Sequence, residues 1–436
     1  MAARLLQTGG YTHVKVLLIG SGGREHAIAW KISRSNRLSG LYIAPGNPGT
    51  GQLGTNLPDV DVLDPAAVVE CCRKYRINLV FVGPEAPLAA GVSDALNEAG
   101  IPVIGPGSAA ARLESSKTFS KQFMEKHHIP TARACTVHSG QELERELAKR
   151  SLPMVLKMDG LAAGKGVLEA KSLEEAREFG LNALESGSVV IEDFLTGYEV
   201  SVFVLLDQNG YRMLPACADY KKAGERSTGP NTGGMGAVCP VPWLPDEMLT
   251  IIEETVVQPS IHGLDSDKLR YTGVLYIGLM ITDDGPKVLE YNVRFGDPET
   301  QVLLPLIRAD ILDMCDAMIN GRIRDAFLEI DDLVSVGVVV ASAGYPIDHK
   351  TGYPIQIHET KAHPVTPDTI EQLLFHGGTR TDGENRLVTD GGRCMTCVAR
   401  GRNIIEARAA AYQVAEAVDF EGAWFRGDIG SRIFGE

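Results

Sequence analysis

Residues 155–172 read VLKMDGLAAGKGVLEAKS: an apolar run, a glycine-rich turn ending in Gly-Lys, and a second apolar run. Glycine and lysine in that order suggest a cradle for phosphate. The first candidate is the P-loop, G-x-x-x-x-G-K-[ST], which runs from strand into helix and sets its hydroxyl on Mg²⁺. Here only three residues separate Gly160 from Gly164, and Gly166 stands where Ser or Thr belongs. The flanks decide the matter. PMVLKMDG (153–160) and GVLEAK (166–171) both read as strands, so the turn is the tip of a hairpin. Such a flap can close over a triphosphate. Gly164 and Gly166 admit close backbone approach, while Lys165 at the tip and Lys157 on the preceding strand supply charge.

A flap without its own hydroxyl needs metal oxygens from elsewhere. KVLEYNVRFGDPETQ (287–301) has them. On a strand, Glu290, Asn292 and Arg294 share one face, because side chains alternate with period two. A carboxylate and an amide oxygen suit Mg²⁺, which takes few protein ligands and completes its shell with phosphate and water. Arg294 beside them can clamp a moving phosphoryl group. Gly296, Asp297 and Glu299 follow at once.

Between flap and metal strand lies VVIEDFLTGYEVSVFV (189–204), an acidic cluster between two apolar runs. It reads as a hinge against a purine: backbone groups of Glu192, Asp193, Phe194 and Leu195 for the adenine edge, Glu199 for the ribose. A second glycine loop, STGPNTGGMGAVCP (227–240), puts Asn231 and its glycines beside the triphosphate or a second substrate.

The N-terminal VLLIGSGGREHAIAW (16–30) opens like a dinucleotide fold, but Glu25 occupies the third glycine position of G-x-G-x-x-G. APGNPGTG, after the next strand, offers no acid to a ribose, so a nicotinamide cofactor is rejected. Gly22, Gly23 and Arg24 instead suit a single phosphate at a helix start.

The chain has 436 residues, 44% hydrophobic and 22% charged, with a formal net charge of −14. Length predicts about three domains. The acidic balance argues against a nucleic-acid binder, whose affinity rests on neutralising phosphates. No apolar run is long enough for a membrane span, and no secretory signal is visible, which points to the cytoplasm and to reduced thiols. Cys394 and Cys397 form a C-x-x-C pair that reads as part of a buried strand.

The expected organisation is α/β and α+β multidomain. Residues 1–13 form an unmatched extension. A parallel α/β domain covers 14–115, because apolar runs ending in Gly or Pro alternate with helical patterns. A small lobe or lid spans 116–195 and a larger, strand-rich lobe with the metal site spans 196–332. A small α+β domain, 333–436, closes against the rest.

Together these features resemble the ATP-grasp superfamily, with its E-x-N-x-R signature at Glu290, Asn292 and Arg294. Within it, GSGGREHA, APGNPGT, VGPEAPLAAG, GPGSAAARLESSKTFSKQFM, DGLAAGKGV, GPNTGGMGA and RFGDPETQ occur in the order seen in the phosphoribosylamine–glycine ligase family. The resemblance runs from about Val16 to Phe434 and implies the stand-alone enzyme. It implies phosphorylation of glycine by ATP, with Mg²⁺ or Mn²⁺, then attack by the amine of 5-phosphoribosylamine. Arg294, Lys157 and Asp297 are the expected catalytic residues. Lys121 and Lys157 carry over as phosphate contacts, and Lys222 as an ATP contact. Asn47, Gly49 and Glu85 sit in loops matching the ribose site. Asp219, Asp297 and Glu299 would bind or orient the amine substrates. A monomer or weak homodimer is expected, with small molecules as its partners. Two departures stand out. Asp219-Tyr220-Lys221-Lys222 replaces Asp-His-Lys-Arg, and Tyr198 replaces a common acid, which leaves Glu199 alone for the ribose.

Overall fold

The computed structural model describes residues 13–161, 166–359 and 371–431. Gly164 and Lys165, expected at the flap tip, lie outside the described residues. The expected mixture of α/β and α+β units is the observed architecture.

The N-terminal sheet comprises β1 (Val14–Gly20), β2 (Leu38–Pro45), β3 (Thr55–Asn56), β4 (Leu79–Val82) and β5 (Val103–Ile104), in order β3-β2-β1-β4-β5. Every pairing is parallel. Helices α1 (Gly23–Ser33) and α2 (Pro65–Tyr75) connect strands; α3 (Glu85–Ala89), α4 (Val92–Glu98) and α5 (Ser108–Ser115) follow. Both faces of β1 are covered, which is why its sequence is an almost unbroken apolar run rather than an alternation. The strand order reverses between β1 and β4. Loops leaving the carboxyl ends of those two strands therefore flank a crevice, the usual ligand position in such sheets.

Helix α6 (Lys117–Lys126) leads into the lid, an antiparallel sheet of β6 (Ala134–Val137), β7 (Met154–Met158), β8 (Val167–Ala170) and β9 (Val189–Asp193), ordered β6-β9-β7-β8. Strands β7 and β8 pair antiparallel on either side of the glycine turn, so the hairpin reading holds. Helices α7 (Gly140–Leu147) and α8 (Leu173–Leu184) bury Leu143, Leu147, Ala176 and Ala183 against this sheet as a core of its own. Ser172 and Glu175 close a capping box at the start of α8, worth about 1 kcal/mol.

The large lobe contributes β10 (Tyr198–Leu206), β11 (Tyr211–Met213), β12 (Ala218–Asp219), β13 (Lys222–Gly224), β14 (Thr228–Asn231), β15 (Gly236–Cys239), β16 (Gly273–Thr282) and β17 (Gly285–Asn292). Four of them form the sheet β11-β10-β16-β17. Helices α9 (Asp246–Ile252) and α10 (Gln258–Ser266) flank a π-helical segment, and α11 (Glu299–Leu303) follows the metal strand. The apolar segment 303–321 does not form one continuous helix. Pro305 lies in a 3₁₀ turn, and Asp310 accepts from Leu312 N (2.8 Å) to start α12 (Ile311–Ile319) afresh.

The C-terminal part adds β18 (Val334–Ala341), β19 (Gln356–Ile357), β20 (Gln372–His376), β21 (Thr379–Thr381), β22 (Leu387–Thr389), β23 (Arg393–Gly401), α13 (Ile404–Glu416) and β24 (Val418–Asp419). One five-stranded sheet runs β12-β15-β18-β23-β20. It crosses the boundary expected at 332/333: β15 of the large lobe pairs directly with β18. The C-terminal residues thus share their main sheet with the large lobe. Cys394 and Cys397 lie buried on β23, and burial pushes the Cys394 thiol up to about 11.

Candidate active site

The lid contributes two buried lysines. Lys157, on β7, approaches Glu192 Oε1 at 2.9 Å, and Lys121, on α6, approaches the same oxygen at 3.3 Å. Lys121 also donates to Thr131 Oγ1 (2.6 Å). Burial lowers Lys121 to about 8, although Glu192 pulls it upward. Lys157 further donates to the Leu289 carbonyl (3.0 Å) on the metal strand. That carbonyl is available because the β16–β17 register slips there: Gly278 faces Glu290 and Leu279 faces Val288, leaving Leu289 as the extra residue. A bulge leaves its extra residue outside the ladder.

Glu192 was expected to offer its backbone to the adenine. Its strand lies between β6 and β7, so its amide groups belong to the sheet. Asp193 N likewise donates to Arg133 O (3.0 Å). Phe194 and Leu195, expected at the same edge, follow β9 as non-strand residues, and Phe194 is 38% exposed. What Glu192 contributes is its side chain, the countercharge for two lysines.

The flap base is anchored by Asp159. Its Oδ1 accepts from the N–H groups of Lys117 (2.7 Å), Thr118 (3.3 Å) and Gly160 (3.1 Å), at the start of α6. A carboxylate is favoured there by the helix dipole. Lys117 Nζ donates to Gly160 O (2.7 Å). Gly166 is described and buried just before β8.

On β17, Glu290 points into the cleft with its side chain 45% exposed. Burial would raise its carboxyl, but Lys221, Lys157, Lys117 and Arg294 outweigh that and hold it below the ordinary range. Asn292 Oδ1 accepts from Arg294 Nη2 (3.2 Å). Arg294 lies just past the strand end, in a bend. Its guanidinium is gripped from the N-terminal domain by Glu114 Oε1 (2.6 Å) and Glu85 Oε2 (3.3 Å). An ionised carboxylate and an adjacent amide oxygen fit a hard divalent cation. Among the described residues no cluster of three or more His, Cys, Asp or Glu side chains could hold a metal. The rest of a Mg²⁺ shell would come from phosphate and water.

Lys221 spans the large lobe, 2.8 Å from Glu199 and 3.8 Å from Glu290. Burial raises the nearby Asp219 carboxyl to about 8, with the charges of Glu299, Glu199 and Glu290 adding to it and Lys221 opposing it. Glu299, which begins α11, meets Ser201 Oγ at 3.1 Å. Lys222, the replacement for Arg, donates to Glu169 of the lid at 2.6 Å, tying β8 to the large lobe. Asn231 stands across the β13–β14 ribbon from Lys222.

The N-terminal turn differs from expectation in detail. The Arg24 guanidinium is held within the protein: Nε donates to Glu25 Oε1 (2.6 Å) and Nη1 to Phe295 O (3.1 Å). Gly22 N–H is met by Glu25 Oε2 (2.7 Å) and Arg24 N–H by Asp297 Oδ2 (3.1 Å), so the protein's own carboxylates close the turn. Gly23 is the first residue of α1, where a Cβ would stand 2.6 Å from Gln301 Nε2. Asn47 has every polar atom engaged. Its Nδ2 donates to Ser21 O and His376 O, and its Oδ1 accepts from Gly49 N and Thr50 N. These bonds fix the shape of the loop. Gly49 is required by its neighbour: a Cβ there would stand 2.1 Å from His26 Cε1.

The structure thus brings Lys121, Lys157, Glu290, Asn292 and Arg294 around one cleft. The sequence reading missed Glu114, Lys117 and Arg393. The first two sit inside the matched LESSK stretch, where an acid beside a helix cap was a usable signal. Arg393 carried none.

Models of phosphoribosylglycinamide synthetase match the chain in succession: the N domain over 14–114, the ATP-grasp (A) domain over 115–300 and the C domain over 335–432. The chain belongs to this family. It is 43% identical to the phosphoribosylamine–glycine ligase of Chlorobaculum tepidum, over 96% of this chain and 100% of that protein. The Vibrio cholerae ligase is 41% identical over 96% and 98%. Among solved structures, phosphoribosylamine–glycine ligase from Thermotoga maritima superposes with a TM-score of 0.81 at 35% identity, covering 95% of this chain and 100% of that one. Biotin carboxylase from Campylobacter jejuni gives 0.72 at 13% identity over 97% and 95%, a likeness of fold alone. Among the described residues no helix is long and apolar enough to cross a membrane.

Proposed function

We propose that this chain is an ATP-dependent carboxylate–amine ligase that joins glycine to 5-phosphoribosylamine, giving glycinamide ribonucleotide, ADP and phosphate, a step of purine biosynthesis. One observation carries the reading within the family: the lid lysines and the N-terminal phosphate turn open onto the same strand end. That end is Glu290–Arg294 and the segment leading to Asp297.

A carboxylate is a poor electrophile, so the γ-phosphoryl group first passes from ATP to a glycine carboxylate oxygen. Lys121 and Lys157 neutralise the triphosphate from the lid, and Arg294 stabilises charge on the group in transit. A divalent cation, Mg²⁺ or Mn²⁺, held by Glu290 and Asn292 would supply Lewis-acid neutralisation of the phosphate oxygens. The amine of phosphoribosylamine then attacks the acyl carbon, the C–N bond forms, phosphate leaves and the nitrogen loses a proton. Phe194 and Leu195 meet the adenine edge, and Glu199 the ribose. The sugar phosphate takes the place now held at the Gly22–Arg24 turn by Glu25 and Asp297. The enzyme works in the cytoplasm, as a monomer or weak homodimer.

The test is ADP release with phosphoribosylamine generated in solution from ribose 5-phosphate and ammonia. ADP should form only when glycine and the amine are both present. ADP formation with bicarbonate or another amino acid, and none with glycine, would overturn the reading.

A further inference from the structure

Arg393 begins β23 and lies outside every segment to which the chemistry above has been assigned. Its guanidinium reaches back across the five-stranded sheet. Nη1 donates to Gly233 O (2.7 Å) and Asp297 O (2.8 Å), with Gly234 O at 3.3 Å. Nη2 lies 3.3 Å from Asp297 Oδ1. One planar fork therefore grips the second glycine loop and both the backbone and the carboxylate of Asp297. Asp297 in turn holds Arg24 N–H at the phosphate turn. Space confirms how closely the pieces fit: a Cβ on Gly233 would stand 2.9 Å from Arg393 Cζ, and one on Gly234 2.5 Å from Pro298 Cδ. Burial would raise the Asp297 carboxyl, but Arg393 first, then Arg24 and Gln301, keep it ionised.

We propose that Arg393 is a positioning residue for the amine substrate: it fixes the Gly233–Gly234 loop and retains the Asp297 carboxylate when the sugar phosphate displaces it from the Arg24 N–H. The inference rests on the ligase reading above. Asp297 is an anion standing where a phosphate must arrive. Arg393 supplies the opposing charge and already reaches Asp297 Oδ1, so it can keep the carboxylate once Oδ2 is released from the turn. Without it, a poorly compensated carboxylate faces the incoming phosphate, and the glycine loop loses the donor that three carbonyls share. Neither change touches the lid lysines, so the effect belongs to one substrate.

The experiment compares steady-state kinetics of the wild type, Arg393→Gln and Arg393→Lys, with each substrate varied in turn and circular dichroism and thermal melting as folding controls. Arg393→Gln should raise KM for phosphoribosylamine about 10-fold or more, in line with the ~100-fold that small misplacements produce. KM for ATP should stay within about 2-fold. Arg393→Lys keeps the charge but not the fork and should fall between. Equal kinetics in all three proteins would overturn the proposal. So would a loss of kcat in step with lost folded protein at unchanged KM, or a rise confined to KM for ATP. If Arg393→Gln fails to fold, Arg393→Lys decides: a selective rise in KM for the amine supports positioning, and wild-type KM values refute it. A wild type without glycine-dependent turnover would sink the ligase reading instead, a distinguishable result.

Discussion

Replacing Glu192 by Gln tests the lid electrostatics most directly. The side chain is 3% exposed and serves Lys157 and Lys121, themselves 11% and 10% exposed. Removing one partner of a buried ion pair costs about 3–5 kcal/mol. Two features favour the lower end, about 3 kcal/mol. The amide oxygen of Gln can still accept a hydrogen bond. Lys121, already down at about 8, can also discharge at about 1.4 kcal/mol per pH unit. Discharge has a functional signature. Lys121 binds phosphate only when protonated, so its contribution is present below its pKa and lost as pH rises through it. In the wild type, kcat/KM for ATP, which reports the free enzyme, should fall as pH passes about 8. In Glu192→Gln burial acts on Lys121 without its largest opponent, so the falling limb moves to lower pH. Urea denaturation measures the stability and a pH series from 6 to 9 the limb. A stability change below about 1 kcal/mol together with an unmoved limb would refute the reasoning.

Three other outcomes are expected. Glu290→Gln should lower turnover at least about 100-fold, because a charge facing the metal and phosphates is gone, with thermal melting little changed; wild-type activity would remove the metal role. Gly49→Ala should destabilise by about 1–3 kcal/mol, since the new methyl group meets the His26 ring, and denaturant unfolding reads this directly. His26 and His376 are lowered to about 3 and 4, first by burial, so the fold holds them neutral. Their contribution is complete above the unfolded value of about 6.5 and is lost as pH falls toward 4 and 3. His26→Gln, which can still accept from His376 N, should flatten the melting temperature's dependence on pH between about 6.5 and 4. An unchanged slope would assign the acid sensitivity elsewhere.

Much of the site was legible because its chemistry is written in short, local patterns. A strand period of two puts Glu290 and Asn292 on one side, and the structure keeps them there. The failed P-loop spacing at Gly160 correctly announced a hairpin. The glycine turn and helix start at Gly22–Arg24 were legible as a set of N–H groups suited to an anion; that Asp297 Oδ2 meets the Arg24 N–H was not, because it comes from a segment far along the chain. The partners of Asn47 were hidden for the same reason: they include His376, far along the chain. Glu192 read as a hinge residue because nothing local reveals that β9 is flanked on both sides.

The sequence by itself determined the class of chemistry, the parallel start, the β7–β8 hairpin and the strand that carries Glu290 and Asn292, since each depends on residue type and near spacing. Only the tertiary structure decided which charges oppose one another. Glu192 between Lys121 and Lys157, Glu114 against Arg294, and Arg393 on Asp297 are each set by packing between segments distant in the chain. It also decided that β15 and β18 are neighbours, so that the C-terminal domain and the large lobe share a sheet. Side-chain charge acts through space over a few ångströms, and that distance is not a property of sequence separation.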